Sequence, residues 1–269
     1  MIWKLFKYDF RGVGKKLFPL YGLALLFALM SRIFVIGKTV DLYGNMETYE
    51  SYPIWIQIIH QLIFGMTWIL VVSVFIVTFN ILITKYFRSV YGEEGYLTHT
   101  LPITSSQKII SKMFNFYLWN VFAALIATAC FCIMFYNPDG FREFIEVLME
   151  GLRRIWPMIT SREILAAFLW SVIFVIAPVH SIFLLYLCCA VGSMFRHKFI
   201  ASVCAYFVLS FVMAIISNIL LSSSIEFMIQ NDYMPVLQFP LILLVMSIIY
   251  TLIFFFGTKI LLDKQLNLE

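Results

Sequence analysis

Long apolar runs separated by short polar stretches are the main pattern of this 269-residue chain. A helix needs about 20 consecutive apolar residues to cross a bilayer, and a sliding-window reading finds six such runs. The six predicted spans cover residues 18–37, 54–84, 108–136, 164–191, 199–221 and 237–262. Runs such as LILLVMSIIYTLIFFFGTKILL at 241–262 do not alternate between polar and apolar positions, as strands of a membrane barrel would. The pattern predicts an all-α membrane protein with a single membrane domain over residues 1–269.

The composition agrees with this assignment. Apolar residues make up 62% of the chain and charged residues only 13%, whereas about 25% of residues are charged in ordinary soluble domains. The five cysteines lie inside apolar runs and the four histidines are scattered, so neither set has the spacing of a metal site. No metal site is predicted.

Two short stretches resemble parts of a phosphate-binding loop. In GVGKK at 12–16 the Gly-Lys pair is followed by another lysine, and for IGKT at 36–39 the first required glycine is replaced by Arg32. Neither stretch follows a predicted strand, as a nucleotide-binding loop does. The chain is therefore predicted to be no enzyme and to bind no cofactor of its own.

The placement of Lys and Arg predicts the orientation, because these residues accumulate on the cytoplasmic side of membranes. With the N-terminus inside, thirteen of the 19 basic residues are cytoplasmic. The other six are Arg32, Lys38, Arg142, Arg153, Arg154 and Arg162. Both termini are then cytoplasmic, and so is the polar stretch at 91–104.

Residues 1–16 are predicted to form an amphipathic helix that lies along the cytoplasmic surface of the membrane. Apolar residues recur there at steps of three or four, with basic residues in a similar rhythm on the other face. The apolar positions are Trp3, Phe6, Phe10, Val13 and Leu17, and the basic ones are Lys4, Lys7, Arg11 and Lys15. Gly12 and Gly14 are expected to end this helix, where the chain turns into the bilayer.

The connection at 137–163 is the longest predicted external piece. Its apolar residues again follow a helical spacing and alternate with Arg and Glu, which predicts a short amphipathic helix on the outer interface. A cap over the helix bundle is favoured over a substrate site.

Polar groups within the spans are candidate pathway residues, since polar side chains inside a membrane are costly and often functional. Pro178 followed by His180 is a candidate kink with an imidazole near a central cavity. The spans contain no central Asp, Glu or Lys, which argues against an ion-coupled carrier.

The sequence YGEEGYLTHTLPIT at 91–104 is a polar, turn-prone segment between the second and third predicted spans. Gly92 and Gly95 bracket two acids, and Pro102 limits continuation of a helix. The following SSQK offers N-cap hydroxyls at Ser105 or Ser106. Apolar residues exposed on such a polar segment are typical of a docking element for another protein.

GEEGYLTHTLPIT, followed by a Lys-bearing start of the next span, resembles the cytoplasmic loop of small bacterial ABC-transporter permeases of the type-two exporter class. The six-span layout with cytoplasmic termini is similar to that class as well. The resemblance implies a location in the bacterial cytoplasmic membrane and a short cytoplasmic coupling helix within the loop 85–107. The implied residues that contact the ATPase are Glu93, Glu94, Gly95, Tyr96, Leu97, Leu101 and Pro102.

This resemblance also implies the partners. A separate ATPase subunit would bind ATP and Mg²⁺, and a second permease copy or a paralogue would complete the pathway among membrane lipids, with no role for nucleic acid. SSSIEFMIQNDYMP at 222–235 lacks the apolar re-entrant hairpin of polysaccharide exporters, so an amphiphilic peptide, lipid or drug is the expected substrate class. Two alternatives stay open: a non-transporting sensor or assembly partner of an ATPase, and an ATP-independent carrier.

Overall fold

The computed structural model describes residues 2–34, 54–92, 104–135, 138–230 and 237–266. Seven α-helices and one short 3-10 helix occupy this described part of the chain. In chain order they are α1 (Ile2–Phe34), α2 (Ile54–Tyr91), α3 (Ser105–Phe135), α4 (Pro138–Ile155), the 3-10 helix (Trp156–Met158), α5 (Ser161–Ser193), α6 (Lys198–Gln230) and α7 (Gln238–Leu266). All the α-helices except α4 are long and apolar enough to cross a membrane, which confirms the all-α class and the six spans.

The N-terminal helix differs from the prediction. Ile2–Phe34 is one continuous helix, and its residues Trp3–Arg32 already qualify as a span. The interfacial helix expected over 1–16 is therefore not a separate element, and the turn expected at Gly12 and Gly14 is wrong. Glycine serves here as a small residue for close packing: a Cβ added at Gly14 would lie 3.3 Å from the Trp119 ring.

The helices on either side of the predicted cytoplasmic loop are longer than expected. α2 continues to Tyr91 and α3 begins at Ser105, so both helices extend into the loop predicted at 85–107. Residues 93–103, which include the predicted coupling helix, lie outside the described residues.

The chain divides into two compact units. The N-terminal unit comprises Lys4–Lys85 and Leu118–Met158, and the C-terminal unit comprises Met1–Trp3, Tyr86–Tyr117 and Ile159–Glu269. α2 and α3 each contribute residues to both units. The single membrane domain over residues 1–269 stays a prediction.

In the N-terminal unit, α1 and α2 pack side by side in opposite directions. Tyr21 Oη lies 2.9 Å from Thr78 Oγ1, and Thr67 Oγ1 donates to the Phe27 carbonyl at 3.3 Å. The order of these contacts is antiparallel, as it must be for consecutive spans. The buried face of α1 repeats at steps of three or four and consists of Val13, Leu17, Tyr21, Ala24 and Ala28.

In the C-terminal unit, α5 packs against both α6 and α7. Its contacts with α7 run in parallel order, with Trp170 beside Phe239 and Phe183 beside Phe255 at ring-centroid distances of 6.0 and 5.5 Å. Helices α5 and α7 are alternate spans, so a parallel arrangement agrees with α6 crossing back between them. α6 itself has no buried residue from Lys198 to Ser224.

The helix predicted within 137–163 exists, and its location on the outer side of the membrane stays a prediction. α4 and the 3-10 helix occupy most of the stretch 137–163. The side chains of its apolar stripe are 40–57% exposed. These side chains belong to Phe141, Phe144, Ile145, Leu148 and Leu152. This exposure does not support the expected cap over the helix bundle, which stays a prediction.

Candidate functional site

The seven residues predicted to contact an ATPase all fall in the stretch that the structure does not describe. They are Glu93, Glu94, Gly95, Tyr96, Leu97, Leu101 and Pro102. The structure describes the two ends of the segment, Gly92 after α2 and Thr104 before α3. These ends, with the helices they lead into, form the candidate site within the C-terminal unit.

The start of α3 is capped one residue earlier than predicted. The Thr104 N–H donates to Gln107 Oε1, and the Gln107 N–H donates to Thr104 Oγ1, each at 3.4 Å. This is a reciprocal capping box, so the N-cap is Thr104 and not Ser105 or Ser106. The Ser105 hydroxyl instead donates to Asp263 Oδ1 at 2.6 Å. The first residue of α3 is thus attached to the last turns of α7.

The other end of the segment is held by aromatic rings. Tyr86, in the last turns of α2, stacks on Tyr186 of α5 with ring centroids 3.7 Å apart and planes 4° from parallel. Phe116 of α3 meets the same Tyr186 ring edge-on at 6.2 Å. Offset and edge-to-face ring pairs add to the stabilisation from buried area. The end of α2 and the first turns of α3 are therefore both anchored on α5.

One face of α3 is polar and buried. Lys108, Ser111, Lys112 and Asn115 follow the spacing of a single helix face, and each is 7% exposed or less. Within the described part of the chain, Ser111 Oγ and Asn115 Oδ1 have no hydrogen-bond partner. We call these four residues the buried polar face of α3. Two cations on a buried helix face in a membrane protein are costly, which marks this face as a candidate for function.

A second polar contact, inside the N-terminal unit, was missed at the sequence level. Lys85 Nζ lies 3.2 Å from Asp9 Oδ1 and donates to the Asp9 carbonyl at 2.8 Å. The Asp9 side chain is 4% exposed, and that of Lys85 is 25% exposed. A Cβ at Gly12 would lie 2.9 Å from Lys85 Nζ, so this glycine leaves room for the ammonium. The available signal was that Asp9 is the sole acid in residues 1–40.

The predicted kink residues lie within an unbroken helix. α5 runs from Ser161 to Ser193 through Pro178, which is exposed. His180 is half-buried, and its Nδ1 is shielded without a hydrogen-bond partner among the described residues. The involvement of both residues in a pathway stays a prediction.

Across the described residues, no three His, Cys, Asp or Glu side chains are grouped in a way that could hold a metal ion. By the length and composition of its helices, the chain is a multi-pass α-helical membrane protein. It matches no protein-family model, no curated protein and no solved structure.

Proposed function

We propose that this chain is the membrane subunit of an ATP-driven exporter of the ABC type-two class. It docks a separate ATPase through the segment 91–104 and forms the translocation pathway with a second copy or a paralogue. The substrate class is amphiphilic: a peptide, lipid or drug. Binding of ATP and Mg²⁺ takes place in the ATPase partner.

The observation that carries this proposal is the anchoring of both helices at the ends of the segment. Tyr86 stacks on Tyr186 five residues before α2 ends, and Ser105 bonds to Asp263 in the first turn of α3. A displacement of the segment by an ATPase would thus act directly on α5 and α7, because packed helices move as rigid bodies.

The exposure of α6 supports a partner in the membrane. This span has no buried residue from Lys198 to Ser224, so an entire face is available to a second permease chain as well as to lipid. Phe199, Phe207 and Phe211 are each at least 68% exposed along it. Aromatic side chains bury large areas on association.

Leu97→Asp is expected to abolish co-purification of the proposed ATPase partner. The variant removes an apolar anchor and places an unpaired carboxylate in a desolvated contact, which costs about 2–4 kcal/mol or more. The measurement is recovery of the co-expressed ATPase on the tagged membrane chain, normalised to the amount of that chain. His197→Asp, in the exposed turn between α5 and α6, is the matched control and is expected to retain the ATPase. Wild-type recovery with Leu97→Asp would exclude the segment as the docking site.

An exporter must also couple ATP turnover to its substrate. In the reconstituted complex, we expect transport of an amphiphile to depend on ATP hydrolysis, whereas a sensor would hydrolyse ATP without transport. Transport by the membrane chain alone would instead indicate an ATP-independent carrier.

The proposed orientation is tested by labelling the two ends of α6. Single cysteines at His197 and Ser223, both exposed, are introduced into a background without native cysteines. An impermeant maleimide added to intact cells should label position 223 and should label position 197 only after permeabilisation. The reverse pattern would show that the charge-based orientation is inverted.

A further inference from the structure

The helix α4 has an exposed apolar side that the proposed function does not use. Phe144 is 57% exposed, Leu148 42% and Leu152 48%. Trp156, in the 3-10 helix that follows, is 73% exposed. So large an exposed apolar strip needs a partner surface in water.

The charged residues of α4 are arranged in a particular order around the helix. At about 100° per residue, they occupy a single sector of about 120° opposite the apolar strip. Going around this sector, the order of the charged residues whose side chains the structure describes is Arg142, Arg153, Glu146, Glu150, Glu143 and Arg154. The arginines thus lie at the two boundaries with the apolar side, and the three glutamates lie between them.

This order fits a phospholipid surface. When the apolar strip enters the acyl region, the boundary side chains are at the depth of the phosphates and the centre of the polar sector faces water. Arg142 and Arg153 at one boundary can extend and hydrogen-bond a phosphate. Arg154 at the other boundary is paired with Glu150 at 2.6 Å, but both side chains are largely exposed, so exchanging this contact for a phosphate costs little. A groove on a protein would not require an arginine at both boundaries of the apolar strip.

The position of α4 in the chain also restricts its surroundings. Residues 136–137 join it to the end of the α3 span, and residues 159–160 join the 3-10 helix to the start of the α5 span. Both ends of α4 are therefore held at the bilayer surface on the same side. The apolar strip reaches lipid without any further partner.

We propose that α4 lies in the phospholipid interface, with its apolar strip in the acyl region and its boundary arginines at the phosphates. The described charged side chains of α4 comprise three arginines and three glutamates, so the apolar area and not net charge holds the helix there. Bilayers of neutral phosphatidylcholine are therefore sufficient. This inference is independent of the proposed transport function.

The test compares two labels on opposite sides of α4 in the full-length chain. In a background without native cysteines, bimane is attached to Leu148→Cys on the apolar strip or to Glu150→Cys in the polar sector. Each protein is reconstituted into phosphatidylcholine bilayers with or without acyl-chain doxyl lipid, and iodide is used as the aqueous quencher. A second pair, Leu152→Cys and Glu146→Cys, repeats the comparison one turn away.

The expected result is several-fold stronger quenching by doxyl lipid at 148 than at 150, and the reverse with iodide. Equal iodide quenching at both positions would place α4 in water, and protection of 148 from both quenchers would show that protein covers it. Either outcome overturns the inference. The same quenching by doxyl lipid at 148 is expected when phosphatidylglycerol is added to the bilayers. Quenching by doxyl lipid only in the presence of this anionic lipid would contradict attachment by apolar area.

Discussion

Gly192→Ala is expected to destabilise the protein by about 3 kcal/mol or more. The added Cβ would lie 2.6 Å from the Ser202 backbone nitrogen and 2.7 Å from the Lys198 carbonyl oxygen. Both are backbone atoms of α6, so no side-chain rotation relieves the overlap. The helices α5 and α6 would have to separate at the turn that joins them.

The matched control for this variant is Gly65→Ala in α2. No atom lies within 4 Å of the Cβ position at Gly65, and alanine has the higher helix propensity. The control should be neutral or slightly stabilising. Both proteins are heated in the same detergent, and the remaining monodisperse fraction is measured by fluorescence-detected size exclusion. Equal midpoints for the two variants would show that the close approach of α5 and α6 is not required.

Lys85→Met is expected to cost about 3 kcal/mol, at the lower end for a broken buried pair. The substitution removes the ammonium that faces the Asp9 carboxylate, which is 4% exposed. The partial exposure of Lys85 places the cost at the lower end, since solvent screens the pair from that side. Replacing both residues, as Asp9→Leu with Lys85→Met, is expected to recover part of the loss because the Asp9 carboxylate is removed together with the ammonium that faces it.

The exposed Arg154–Glu150 pair on α4 provides the comparison for the buried Asp9–Lys85 pair. Arg154 Nη2 lies 2.6 Å from Glu150 Oε1, but the two side chains are 78% and 63% exposed. Glu150→Gln is therefore expected to change the free energy of unfolding by no more than about 0.5 kcal/mol. Wild type, Lys85→Met, the Asp9→Leu/Lys85→Met double variant and Glu150→Gln are compared by thermal midpoint and by the yield of inserted chain. If Lys85→Met has as small an effect as Glu150→Gln, the Asp9–Lys85 pair contributes nothing to the association of α1 with α2.

The spans could be predicted because each one is a continuous apolar run whose length must match the bilayer. The error at the N-terminus has a physical origin, since one amphipathic pattern fits two environments. A helix on a membrane surface and a helix packed lengthwise in a bundle both need an apolar stripe. Val13 and Leu17 of that stripe are 1% and 0% exposed, whereas Trp3 at its start is 72% exposed, so neighbouring helices cover the later part of the stripe.

Less of the candidate site than of the spans could be predicted from the sequence. From the sequence alone Lys108 and Lys112 resemble topogenic charges, because basic residues are common where a span begins. Their burial depends on tertiary packing, which the local sequence does not show. Ser105 and Asp263 are 158 positions apart, and no local pattern encodes their contact. The spacing of Lys108, Ser111, Lys112 and Asn115 on one helix face was the signal that could have indicated a polar interior.

The Asp9–Lys85 pair has a consequence for the biogenesis of the protein. The two residues are 76 positions apart, so the ribosome completes α1 well before the ammonium that faces its carboxylate exists. Asp9 lies near the start of α1 (Ile2–Phe34), so its cost at the translocon is below the about 2.5–3.5 kcal/mol of an Asp at a span centre, but α1 is also the least apolar of the six spans. We therefore expect α1 to settle in the bilayer together with α2, as a helical hairpin, and not as an independent first span. On that basis Lys85→Met should lower the yield of inserted chain in addition to the melting temperature of the molecules that do insert.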